Sequence, residues 1–136
     1  MKKGLRDLLI AAPDVNAIVG NRVRVNRLPE GTDFPTIVIK FVASQNINTL
    51  NGTNATQQRL VQVDCWGNNP KEADTLAIAV HAVLNSFQGT LSDGTYIQGC
   101  FPSGDVDLND EELHISGIAI DFSVWFIPGE FFSPPV

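Results

Sequence analysis

Two cysteines and two histidines are the side chains of this 136-residue chain best suited to chemistry, and their spacing limits what they could do. A nucleophilic Cys65 or Cys100 needs a base such as His81 or His114 within hydrogen-bond reach, because the thiolate is the attacking species. Neither cysteine has a histidine beside it in sequence, so any such pair would have to be assembled by the fold. As zinc ligands the four residues lie far apart and include no Cys-x-x-Cys pair, which argues against a metal. No Gly-rich loop ending in Lys-Ser or Lys-Thr is present to cradle a phosphate. The carboxylates Asp105, Asp107, Asp110, Glu111 and Glu112 do cluster, but no lysine or arginine follows Lys71. The run also lacks the alternating ligands, central glycine and final Glu of a calcium loop, so "PSGDVDLNDEE" reads as a solvated acidic loop. No cofactor and no metal is implied.

Cys65 lies in "RLVQVDCWGNNPKEADTLAIAV" (Arg59 to Val80), where alternation puts it on one strand face with Val61 and Val63. Gln62 and Asp64 take the opposite face. A packed thiol is therefore expected at position 65. Beyond the strand, Asn69 can cap a helix, Pro70 suits its first position and Glu72 completes an Asn-x-x-Glu box. Ala73, Leu76, Ala77, Val80, Leu84 and Phe87 follow at helical spacing, predicting an apolar stripe on a helix that ends near Gly89.

The elements around this joint are legible in the same way. Leu5, Leu8, Leu9 and Ala12 form a short helical stripe ended by Pro13, and a second short helix runs from Pro13 through Val15, Ile18 and Val19 to Gly20. "RVRVNRL" alternates, with Val23 and Val25 on one face and Arg22, Arg24 and Asn26 on the other. After the turn "LPEGTDFP", the β-branched "TIVIKFVAS" predicts a second strand. The sixteen residues from Ala43 to Gln58 carry no charge. Their Asn51-Gly52 step suits a hairpin turn leading to a third strand at about Thr56 to Trp66. This tip, residues 43–58, is either a mobile loop or an arm that orders on a partner. "SDGTYIQGCF" suggests a turn and strand. "LHISGIAIDFSVWFI" is a long final strand whose Ile118, Ile120, Phe122, Val124 and Phe126 make one apolar face. "PGEFFSPPV" has prolines that cannot donate to a ladder, so residues 128–136 read as a tail. Two short helices, three strands, a long helix and two strands predict one α+β domain over residues 1–127. A mostly antiparallel sheet would carry the long helix on one face.

The size suits one domain, able to bury roughly two-thirds of the surface its unfolded chain would expose. A composition 43% hydrophobic and 18% charged is that of a folding globular chain. Arg6 and Asp7 interrupt the first apolar patch and no apolar run reaches membrane-spanning length, so neither an export signal nor a membrane segment is expected. Synthesis in a cytoplasm fits two cysteines without a disulfide spacing. Charge is divided unevenly along the chain. Residues 1–71 hold nine bases and five acids, a net +4, whereas residues 72–136 hold ten acids and no base, a net −10, together the −6 of the whole. Such a split suits a two-faced subunit whose basic side meets the acidic side of a neighbouring copy. The net negative charge argues against broad nucleic-acid binding, which needs a basic face.

Three phrases connect these readings to a family. They are the helical segment ending near "IVGNRVRV", the strand "PTIVIKF", and "RLVQVDCWGNNPKEADTLAIAVHAVL", where Gln62, Asp64 and Trp66 precede the Glu72-Ala73 helix start. In these and in the order of its elements the chain resembles the tail completion, or tail terminator, proteins of long-tailed bacteriophages and prophages. The resemblance covers most of the chain and brings no catalytic residues. It implies a structural virion protein at the head-tail junction that forms a ring, usually a hexamer, on the end of the tail tube. Such a ring stops polymerisation and offers a surface to the head connector. Its implied partners are copies of itself, the tail tube protein and the connector protein, with DNA only as passing cargo and no membrane. Candidate interface residues are Arg22 and Arg24 on the basic strand, Ile47 and Leu50 on the uncharged tip, and Phe131 and Phe132 in the tail. A head-closure or adaptor protein of the phage neck is a neighbouring alternative. A small enzyme or ligand-binding domain using Cys65 and His81 is a third.

Overall fold

The structure, a computed structural model, describes residues 1–28, 31, 33–46, 56–112 and 114–128. The chain begins with helix α1 (Lys2–Ala11) and helix α2 (Pro13–Val19), which bury Leu5, Leu9, Val15 and Val19 at helical spacing. Pro13 opens α2 and Gly20, with φ of 58°, closes it. Strand β1 (Val23–Val25) is short. It is followed by β2 (Thr36–Asn46), β3 (Gln57–Gly67), helix α3 (Pro70–Leu84), β4 (Gly89–Thr90), β5 (Tyr96–Asp110) and β6 (Ile115–Ile127).

The six strands form one sheet in the order β1-β2-β3-β6-β5-β4. The pairing of β1 with β2 is parallel and the others are antiparallel, so the α+β domain is built on a mixed sheet. One face of the sheet carries Ile37 and Ile39 of β2, Val61, Val63 and Cys65 of β3, and Ile120, Phe122, Val124 and Phe126 of β6. All three described helices join these side chains in a single core. Alternation alone explains this face, since every named strand residue is two positions from the next. The final strand begins at Ile115 and ends at Ile127, with its apolar face where period-two reading puts it.

Four boundaries differ from the sequence reading, each for a local reason: the first is β1, read over Arg22 to Leu28, which stops at Val25 where Asn26 adopts a φ of 75°. Helix α3 stops at Leu84, and Ser86 adopts a φ of 62° while its N–H donates to Cys100 O at 2.7 Å. Phe87 therefore reaches the core from the turn beyond the helix and not from a further helical step. The two-residue β4 was too short to carry a pattern. The largest correction concerns Pro102 to Asp110, expected as an acidic loop, which continues β5 as strand and pairs with β6 from Phe122 to Ile115. Its register absorbs Pro102 through an irregularity between Pro102 and Gly104, the kind of bulge that tolerates a missing donor at a sheet margin.

Candidate interaction surfaces

The four residues considered for chemistry are placed in unlike settings. Cys65 is buried beside Val61 and Val63, where desolvation first and the neighbouring Asp64 second raise its thiol far above the ordinary range. Burial likewise pushes Cys100 up to about 12. Both thiols therefore stay protonated at neutral pH, the wrong state for a nucleophile or a metal ligand. His81 is exposed on α3 with its ring 6.4 Å from that of Phe122, and His114 is an exposed turn residue with φ of 55°. Among the described residues, no group of three or more His, Cys, Asp or Glu is placed to hold a metal ion.

Asp64 faces the opposite side of β3 from Cys65, as alternation requires, and is 0% exposed. Gln62 Nε2 donates to Asp64 Oδ1 at 2.7 Å, and Lys40 Nζ on β2 lies 2.8 Å from Oδ2 in an ion pair whose angle falls outside hydrogen-bond geometry. The charge of Asp64 is thus balanced inside its own domain. The next residues build the strand-to-helix joint. Asn69 Oδ1 accepts from Glu72 N at 2.9 Å, and the Glu72 carboxylate accepts from Asn68 N at 3.1 Å and Asn68 Nδ2 at 2.9 Å. The cap predicted from Asn69-x-x-Glu72 is formed, with the return bond made one residue earlier than in the standard box. Gly67 is needed at this corner because a Cβ there would lie 2.8 Å from Ala73 N. This stretch is scaffold.

Of the predicted interface residues, Arg22 and Arg24 are described, whereas Ile47, Leu50, Phe131 and Phe132 lie outside the described residues. The hairpin supporting the uncharged tip is paired as far as Asn46 and Gln57. Arg22 is engaged by its own chain, with Nε donating to Pro35 O at 2.8 Å and a terminal nitrogen to Ile18 O at 3.3 Å. Arg24 is half-buried, its Nε is shielded from solvent, and that atom has no hydrogen-bond partner. Just beyond, Asn26 adopts a φ of 75° and Arg27 is exposed.

Strand register relates this basic edge to the acidic one. Arg24 pairs with Val38, Val38 with Asp64, Asp64 with Ala119, and Ala119 with Val106, so Arg24 and Val106 end one transverse row. The rows on either side end in Val23 and Asp107, and in Val25 and Asp105. Four strand spacings separate β1 from β5, roughly 19 Å along the sheet. Beyond Ile97, β4 no longer covers β5, and Asp105, Val106 and Asp107 are exposed. On the helix side, β5 and β6 border a groove of about 690 Å³ against α3, lined by Ile78, His81, Pro102, Asp105, Ile118 and Ile120 among others. Ile78 is 71% exposed and Val106 61%. Sequence reasoning passed over Arg27 and treated Asp105 and Asp107 as a solvated loop. The signal available was the alternation of acidic and apolar residues in "DVDL", which is a strand pattern as much as a loop composition.

A family model described as "Tail completion protein gp17" matches residues 3–127. Among solved structures, a chain of the "Virion of native gene transfer agent (GTA) particle" has a similar fold, with a TM-score of 0.71 at 17% sequence identity over 93% of each chain. No curated protein matches.

Proposed function

The chain belongs to the tail completion protein gp17 family, and from that premise we propose that it assembles as a ring at the end of a phage tail tube. It is a structural virion protein of the tail, not an enzyme. The proposed ring, a hexamer in its simplest form, stops tube polymerisation and offers its free side to the head connector, with DNA passing through as cargo. The observation that carries this reading is a sheet with Arg24 on its β1 edge and exposed Asp105 and Asp107 toward its other margin on β5. A surface pair of that kind favours head-to-tail contacts between copies, and such heterologous contacts close into a ring when the rotation per subunit divides a full turn. The uncharged arm from Ala43 to Gln58 and the tail from Pro128, with Phe131 and Phe132, supply further reach toward the tube or a neighbouring copy in this proposal.

Electron microscopy tests it directly. Concentrated protein, imaged with and without tail tubes, should show rings, and their absence in both conditions would overturn the proposal. Particles assembled without the protein should have over-long tails. Tails of normal length that lack heads would instead assign it to the joining step.

A further inference from the structure

We infer that neighbouring copies join by strand addition, the outer edge of β5 from Gly104 to Asp110 in one copy pairing with the outer edge of β2 from Phe41 to Asn46 in the next. This rests on the ring reading and specifies which two surfaces meet. Among the described residues, neither edge is covered by its own chain. Strand β1 pairs only with Ile37 to Ile39 of β2, and the bond from Asn26 N to Ile39 O at 2.8 Å ends that contact, yet β2 runs on to Asn46. At the other margin β4 pairs only with Tyr96 and Ile97 of β5, and the bond from Ser86 N to Cys100 O ends the cover there, yet β5 runs on to Asp110. An uncovered edge offers the N–H and C=O groups of alternate residues, a template for a further strand.

Direction, face and charge select β2 as the partner. By the chain of pairings β2 is antiparallel to β5, so a neighbour facing the same way presents β2 as an antiparallel strand. Both edges carry their charges on the helix side of the sheet. Asp105 and Asp107 lie opposite Ile120 and Ile118, and Phe41 lies opposite Val61, all on the face that packs against the helices. Asp105 and Asp107 are exposed and, among the described residues, engage no hydrogen bond or ion pair. The Phe41 ring has Lys2 Nζ 4.9 Å and the Arg59 guanidinium 4.6 Å from its centroid, and no carboxylate among the described residues pairs with either cation. Two β5 edges together would set acid against acid, and two β2 edges cation against cation, whereas β2 against β5 joins opposite charges. The stagger also fits. Counting along β3 from Val61, opposite Phe41, to Gly67, level with Asn109, is six residues. That offset brings Phe41 of one copy level with Asn109 of the next and the row of Arg59 level with Asp107, and it sets β1 just past the end of β5. Six residues at about 3.3 Å, taken over four strand spacings of about 4.8 Å, is a strand tilt of roughly 45°, near the value at which sheets close on themselves.

Hydrogen exchange of the full-length chain, as free subunits and as rings, tests the pairing. Amides in Gly104 to Asp110 and in Phe41 to Asn46 should exchange at least about tenfold more slowly in the ring. Rings in which both segments exchange as they do in the free subunit overturn the inference. A charge swap read by sedimentation velocity tests the partner. Asp105→Lys with Asp107→Lys should weaken self-association on the order of 100-fold, because like charges then meet across the contact. Lys2→Glu with Arg59→Glu should do the same. The four substitutions combined should restore assembly, which a general loss of folding would not. Asp105→Asn with Asp107→Asn, which leaves only small changes in shape, should weaken association less and flatten its salt dependence. Unchanged assembly in the two reversals, or a combined variant no better than either, overturns this inference while the unaltered chain's rings leave the ring reading standing. An unaltered chain that forms no ring, alone or on tubes, overturns both.

Discussion

Asp64 and Asp107 are carboxylates on one six-stranded sheet, yet the first is 0% exposed between Lys40 and Gln62 whereas the second is exposed at the β5 margin with no partner among the described residues. The difference lies in what each charge has been given by the fold. A buried carboxylate must be paired at home, because losing its counter-charge leaves a desolvated anion. An exposed one costs little to leave in water and remains available to another molecule. Gln62 and Asp64 are therefore committed to folding, whereas Asp105 and Asp107, in a stretch whose composition reads as a solvated loop, stand exposed on a strand. In a protein whose family works by assembly, polar residues that satisfy one another inside the domain mark scaffold, and polar residues bordering exposed apolar area mark interface.

Breaking the paired side of this contrast should produce the largest effect. Lys40→Met removes the cation 2.8 Å from Asp64 Oδ2 and leaves the fully buried carboxylate with Gln62 alone. A loss of about 3 kcal/mol is expected, at the low end for a broken buried pair because the lysine is itself partly exposed. In a domain of this length that is a fall in Tm of about 10 °C, measurable by calorimetry. An unchanged Tm would mean that Asp64 is not held by charge pairing. Next in size is the joint: Asn69→Ala removes the side chain that accepts from Glu72 N and should cost about 1 kcal/mol, checked by urea denaturation.

How much of this could be read from the chain follows the same division. Strands β2, β3 and β6 were legible because their alternate residues are buried on one face, and Cys65 was assigned to that face correctly. The start of α3 was legible because capping is local chemistry, complete within Asn69 to Glu72. Its end was not, because a backbone bond from Ser86 to Cys100 O in another strand sets it. The parallel pairing of β1 was hidden for the same reason, since strand direction in a sheet depends on partners distant in sequence. For the surfaces, composition gave the signs of charge but not their positions. Only the pairing register sets Arg24 and Val106 at two ends of one row, and only the hydrogen bonds show that Arg22 is held by Pro35 O and Ile18 O while Arg27 is exposed.

A charge can also be partly committed, and Asp93 is such a case between the two extremes. Desolvation works to raise its pKa. It is outweighed by hydrogen bonds from the Met1 amino group at 2.8 Å and from Thr95, and by the charge of that amino group, so the carboxyl sits at about 2. A folded-state value below the unfolded one stabilises the domain above the ordinary carboxylate pKa of 3.8, and that contribution is lost as pH falls from about 4 toward 2. Asp93→Asn should therefore lower Tm at pH 6 and lose less of it between pH 4 and 2 than the unaltered chain does. Parallel Tm curves across that window would show that the carboxylate is not coupled to folding.

The smallest effect on stability is expected at the exposed β5 margin. Asp105→Asn with Asp107→Asn removes two negative charges from an exposed strand without emptying a core position or stranding a buried partner. Unfolding free energy should stay within about 0.5 kcal/mol of the unaltered value, the range of ordinary surface substitutions. It could even rise slightly, because the acidic half of the chain becomes less self-repelling. Lys40→Met is the matching control, since it should lower Tm while the folded fraction associates with unchanged salt dependence. The two variants thus separate along different axes, one in calorimetry and the other in sedimentation. If the β5 variant were instead to lose stability on the scale of Lys40→Met, Asp105 and Asp107 would be scaffold like Asp64, and the contrast between the two regions would fail.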